Sequence, residues 1–140
     1  MESSITRSIN APAEVVWQVM SDVEAWPDWT RSVSSVELLE EGPLRLGSRA
    51  RIQQPRLPTV VWTVTEFAAG RSFTWTSQGP GSLGVATHSI NGDNPCGVTL
   101  RLQQTGLLGG PVARLYKRLT FQYLTLEIEG LSRASIERAG

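Results

Sequence analysis

This 140-residue chain is poor in reactive side chains. It has one cysteine, Cys96, and one histidine, His88. A lone cysteine excludes an intrachain disulfide and a cysteine zinc cluster. A lone histidine with no nearby HxxE or CxxC spacing does not supply the three or four ligands that zinc requires, so no metal is expected. Net charge is also missing: thirteen Lys plus Arg balance thirteen Asp plus Glu. A strong nucleic-acid binder would show a basic excess. No apolar run approaches the roughly 18 residues of a spanning helix, and no signal-peptide pattern opens the sequence. The glycine-rich stretch from Gly79 to Gly84 contains neither GxxxxGK[ST] nor GxGxxG, so no phosphate loop and no nucleotide cofactor follow from it. These absences describe a reduced, cytoplasmic protein without cofactor, without nucleic-acid partner and without stable membrane insertion.

What is present is an ordinary globular composition, 40% hydrophobic and 19% charged, with five tryptophans. The length suits one domain spanning residues 1–140. Such a chain buries roughly two-thirds of its unfolded surface and needs no staple.

The hydrophobic period changes along the chain. Ser4 to Ile9 alternates, with Ile5 and Ile9 on one face and Arg7 interrupting them, which predicts a strand. Pro12 suits a first helical position, and Val16, Trp17 and Met20 follow at helical spacing. Pro27 with Asp28 suggests a second, very short helix. From residue 33 the period is two. Strands are predicted over 33–40, 48–54, 59–67, 72–77, 85–91 and 98–104, divided by Gly42-Pro43, Gly70, Gly79-Pro80-Gly81 and Asn91-Gly92-Asp93. The connections are too short for crossover helices, so neighbouring strands should be antiparallel. Beyond Gly109-Gly110-Pro111 the period returns to three and four. It predicts one helix of about 28 residues, about 40 Å long at 1.5 Å per residue. Two apolar stripes run along it. One is Val112, Leu115, Leu119, Tyr123 and Leu126, the other Phe121, Leu124, Ile128 and Leu131; one of them faces the sheet, and the other either widens the buried face or is exposed as a partner or dimer surface.

One strand, two short helices, six strands and one long helix make an α+β protein. A sheet of seven strands must curve around a helix that long, and the space between them can be an apolar cavity. The segments Ile9-Asn10-Ala11-Pro12-Ala13-Glu14-Val15-Val16-Trp17 and Asp22 to Trp29 resemble the START-like (SRPBCC) superfamily in its polyketide cyclase/dehydrase-like branch. So do Val61 to Phe67, Gly70 to Trp75, Thr87 to Ile90, Tyr123-Leu124, Glu127 and Gly130-Leu131. The resemblance covers essentially the whole chain in order. It implies the helix-grip fold, a curved seven-stranded antiparallel sheet wrapped around a long C-terminal helix that closes a hydrophobic cavity.

Residue chemistry narrows the candidates. Trp62 and Trp75 lie on strands with Val64 and Phe73 on their own faces, while Thr63, Thr65, Thr74 and Thr76 take the opposite face. The indoles should therefore point inward, either as core or as platforms for a flat ligand. His88 shares its face with Ala86 and Ile90; it is the first candidate for a polar contact to a ligand and a weak candidate for a general base. The expected cavity set is Trp26, Trp29, Ile52, Trp62, Val64, Phe73, Trp75, His88, Leu100, Leu119 and Tyr123, with Trp26 and Trp29 at the mouth. Glu66 shares the parity of Trp62 and could end inside, but the strand end in water suits it better; Arg49, Arg51 and Arg101 belong to the outer face. Arg56, between Pro55 and Pro58 at a hairpin tip, could meet a ligand carboxylate. No Cys–His or Ser–His–Asp arrangement is visible. Binding or transport of a small hydrophobic ligand, lipid-like or aromatic polyketide-like, is the leading expectation. A polyketide cyclase/dehydratase and a protein-interaction module built on the C-terminal helix are the alternatives.

Overall fold

In a computed structural model, residues 2–107 and 109–140 are described. The chain runs β1 (Glu2–Ile9), α1 (Ala13–Ser21), a 3₁₀ helix (Val23–Asp28), then β2 (Ser35–Leu38), β3 (Arg49–Gln53), β4 (Val60–Ala68), β5 (Ser72–Gly79), β6 (Ser82–Asn91) and β7 (Cys96–Thr105). A final helix, α2 (Gly109–Ala139), completes it. The strands form one antiparallel sheet in the order β1-β7-β6-β5-β4-β3-β2. Every sequence-adjacent pair from β2 to β7 is a neighbour, as short hairpin links require. β1 closes on β7, and α1 with the 3₁₀ helix bridges the two ends of the sheet. This is the helix-grip architecture.

Alternation does most of the sorting. On β3 the pattern is Arg49, Arg51 and Gln53 exposed, Ala50 and Ile52 buried. The outward arginines find acids: Arg51 Nη1 lies 2.5 Å from Glu37 Oε1 on the paired strand, and Arg101 Nε lies 2.9 Å from Glu2 Oε1. Arg7 takes the inner parity of β1, yet it sits at the sheet edge and reaches Glu129 of α2 at 3.5 Å.

β4 departs from strict alternation. A bulge lies between Val64 and Glu66, so that Val64 faces Trp75 while Glu66 faces Thr74. The extra residue reverses the parity beyond it. Glu66, which simple alternation puts beside Trp62, is therefore exposed, and Phe67 turns in to meet Trp17 with ring centroids 5.6 Å apart. Thr74 also departs from expectation. It lies on the outer face but is buried, its hydroxyl bonded to that of Thr87 across the strand pair.

The phase of α2 settles which of its two apolar stripes is buried. Leu124, Ile128 and Leu131 are buried in the core, while Leu115 is 75% exposed and Phe121 57% exposed. Leu126 is partly exposed as well; Leu119 and Tyr123 are half-buried, and the side chain of Val112 lies outside the described residues. The stripe from Val112 to Leu126 is thus mostly outward, and Leu124 and Ile128, being buried, cannot form a dimer surface. The reason is close packing at Gly130. A Cβ there would overlap the Trp29 carbonyl oxygen and stand 3.0 Å from both its carbon and the indole Cε3. Only glycine allows α2 to approach the 3₁₀ segment this closely, and that contact sets the helix rotation. Arg133 Nη2 donates to the same Trp29 carbonyl at 3.0 Å.

Candidate functional site

Cross-strand register assembles an aromatic patch on the concave face. Phe73 of β5 stands opposite His88 of β6 and Phe67 of β4; Trp75 stands opposite Ala86 and Val64. Directly paired inner residues touch because their Cβ atoms are only about 5 Å apart. His88 therefore stacks on Phe73, with ring centroids 4.3 Å apart and planes within 10°. Trp75 meets the imidazole edge-on at 5.6 Å. Trp26 descends from the 3₁₀ helix onto the same group, 5.4 Å from Trp75 and 5.5 Å from His88. Its indole N–H donates to the Met20 carbonyl at 3.0 Å, which fixes the ring. Trp62 completes the wall 6.1 Å from Trp75. Gly84 makes room for it, since a Cβ there would come within 3.3 Å of the indole.

Between this patch and α2 lies a partly open cavity of about 100 Å³. Its wall includes Trp26, Ile52, Trp62, Trp75, His88, Leu100 and Tyr123 from the expected set. Four expected residues do not reach it. Phe73 lies behind His88, Val64 is packed in the core, Trp29 lies against Trp26 and Gly130, and Leu119 is turned aside by the rotation of α2. The wall also takes Val33, Leu57, Thr120, Leu124 and Glu127. At the rim the Tyr123 hydroxyl donates to the Pro55 carbonyl, tying α2 to the β3–β4 hairpin. Arg56, at that hairpin tip, is exposed and has a positive φ of 68°.

Glu127 is the residue that sequence reasoning undervalued. Its carboxylate Oε1 lies 3.5 Å from His88 Nε2, and the two side chains are only 14% and 5% exposed. A charged residue between Leu124 and Leu131 on one helical arc was the available signal. It became visible only once that arc was known to be the buried one. His88 Nδ1 is buried and has no hydrogen-bond partner among the described residues; the Trp29 indole N–H is in the same position. The site thus combines three indoles, one imidazole and one carboxylate.

A second recess of about 320 Å³ is walled by Trp17, Asp22, Glu24, Pro43, Leu44 and Phe67. It shares no wall residue with the first cavity, and Glu24 Oε2 there accepts from the Leu38 amide at 3.0 Å. Among the described residues no group of three or more His, Cys, Asp or Glu side chains is placed to hold a metal. No helix among them is long and apolar enough to cross a membrane.

The sequence pattern of the family described as polyketide cyclase / dehydrase and lipid transport matches residues 2–129. The chain belongs to this family. No curated protein matches it. Among solved structures, TTHA0849 from Thermus thermophilus is similar, with 19% identity, 100% of both chains covered and a TM-score of 0.78. A START superfamily protein from Mycobacterium smegmatis shows 20% identity over 94% of this chain and 97% of its own, TM-score 0.69. The ZhuI aromatase/cyclase from Streptomyces sp. R1128 shows 15% identity over 99% of this chain and 93% of its own, TM-score 0.70. At these identities the likeness is one of fold. It shows that this polyketide cyclase/dehydrase-family chain shares their fold.

Proposed function

We propose that this protein binds a small, flat aromatic ligand, or the aromatic end of a larger one, in the cavity between β4–β7 and α2. The observation that carries the reading is the convergence of Trp26, Trp62 and Trp75 around the buried His88 on a cavity wall. Flat aromatic surfaces favour flat ligands, through apolar burial and offset or edge-to-face ring contacts. Size restricts the ligand. An engineered cavity of about 150 Å³ takes benzene; one of about 100 Å³ admits a single ring only with slight widening. Longer portions must extend past the Tyr123–Pro55 rim. Burying roughly 200 Å² of ring surface contributes about 5 kcal/mol, against association costs of several kcal/mol. Affinity in the micromolar range therefore needs a polar contact as well.

Titration with a panel of one- and two-ring aromatics, read by the fluorescence of the five tryptophans, tests this. A saturable change is expected, and Ala86→Leu, which fills the cavity from β6, should remove it while leaving the circular dichroism spectrum intact. Saturation that persists unchanged in Ala86→Leu refutes the cavity as the site. A second reading, cyclase/dehydratase chemistry on a poly-β-ketone, is favoured by one observation, the imidazole–carboxylate pair on the wall. His88→Ala should then abolish turnover, and unchanged turnover would remove His88 as the base.

A further inference from the structure

The cavity wall carries a carboxylate, Glu127. Glu127 faces His88 Nε2 at 3.5 Å, too long to use up the hydrogen-bonding capacity of either group. With the carboxylate on the Nε2 side, the imidazole proton belongs on Nε2. Nδ1 is buried and takes no part in the cavity surface. Glu127 accepts only. Arg101 contributes to the wall from β7, but its guanidinium is held by Glu2 on the outer face of the sheet, 2.9 Å from Nε to Oε1. Arg56 is outside, on the exposed hairpin tip. Among the described residues, no arginine therefore stands beside the carboxylate where it faces the cavity.

Resting on the ligand reading above, we infer that the site selects aromatic rings that carry an O–H or N–H donor and rejects rings that carry a carboxylate. A donor-bearing ring gives the Glu127 carboxylate a hydrogen bond as it displaces water. A bare ring of the same shape strips water from that carboxylate and returns nothing, which weakens binding by roughly tenfold or more. A ring carboxylate sets a second negative charge against Glu127 in a dry space, which is costlier still. The aromatic wall supplies affinity for any flat ring; Glu127 decides which substituent is admitted.

Three compounds of matched shape separate these effects: p-cresol, p-xylene and p-toluate. Their dissociation constants are read from the indole N–H shifts of the ¹⁵N-labelled protein. p-Cresol is expected to bind at least tenfold tighter than p-xylene, with p-toluate weakest. In Glu127→Gln the carboxamide can donate and the charge is gone, so the cresol-to-toluate ratio should fall by at least tenfold. Equal binding of p-xylene and p-cresol, or a ratio unmoved in Glu127→Gln, overturns the selectivity and leaves the aromatic cavity standing. Failure of all three to bind overturns both.

Discussion

Gly130→Ala sets two effects of opposite sign against each other. In an exposed helix interior, alanine in place of glycine stabilises by about 1 kcal/mol. At position 130 the new methyl would overlap the Trp29 carbonyl oxygen and press on two Trp29 carbons at 3.0 Å. Carbon–carbon contacts are best near 3.5–4.0 Å, so those two alone demand a shift of roughly 0.5–1 Å. The obstructing oxygen belongs to the backbone and cannot rotate away, so α2 itself must move. Overpacking of this kind costs about 1–3 kcal/mol, and a backbone obstacle puts it at the upper end. Net of the propensity gain, the variant should lose about 2 kcal/mol. Urea denaturation should show a lower midpoint with an unchanged slope. Gln122→Ala, on the exposed side of the same helix, is the control and should stay within about 0.5 kcal/mol of the parent. If Gly130→Ala is as stable as the parent or gains the full propensity increment, the close approach of α2 to Trp29 is wrong. The helix rotation that places Glu127 opposite His88 would then lose its basis.

The two stripes of α2 make a sharper pair: Leu124→Ala should cost about 2–5 kcal/mol in thermal or urea denaturation, whereas Leu115→Ala, at a position 75% exposed, should change stability by less than about 0.5 kcal/mol. The backbone amide of Arg49 donates to Glu40, and its guanidinium adds a second bond, which together hold that carboxyl below its ordinary value. A lowered carboxyl pKa stabilises the fold above the unfolded-state value and is lost as pH falls through the folded-state value. Glu40→Gln should therefore lower the melting temperature at pH 7, with the gap to the parent closing through the acid range; a gap independent of pH contradicts this. Burial pushes the Cys96 thiol above its ordinary value. A folded sample should consequently react with Ellman's reagent far more slowly than a urea-unfolded one at pH 8, and equal rates would mean that Cys96 is not enclosed.

Much of this was legible in advance because strand periodicity is a local property. Whether Trp62, Trp75 and His88 point inward follows from parity with their neighbours, and parity survives as long as the strand is regular. Where regularity breaks, at the bulge after Val64, parity alone put Glu66 on the wrong side. The long helix was legible as a helix, but its rotation was not. Both stripes are apolar enough to be buried, and nothing within the helix ranks one above the other. The small residue Gly130 within the Leu124–Ile128–Leu131 arc was the one clue, and its meaning depends on Trp29, a residue 101 positions away in the chain.

By itself the sequence determined which segments are strands and helices, their antiparallel order, and the inward aim of the β-strand indoles, because each of these depends on residues that are neighbours in the chain. Tertiary structure alone decided how α2 is turned, that Glu127 meets His88, and how little free space the indoles leave. Those outcomes depend on which atoms from distant segments reach the same volume first, and packing at interior density admits one arrangement where the local pattern admits two.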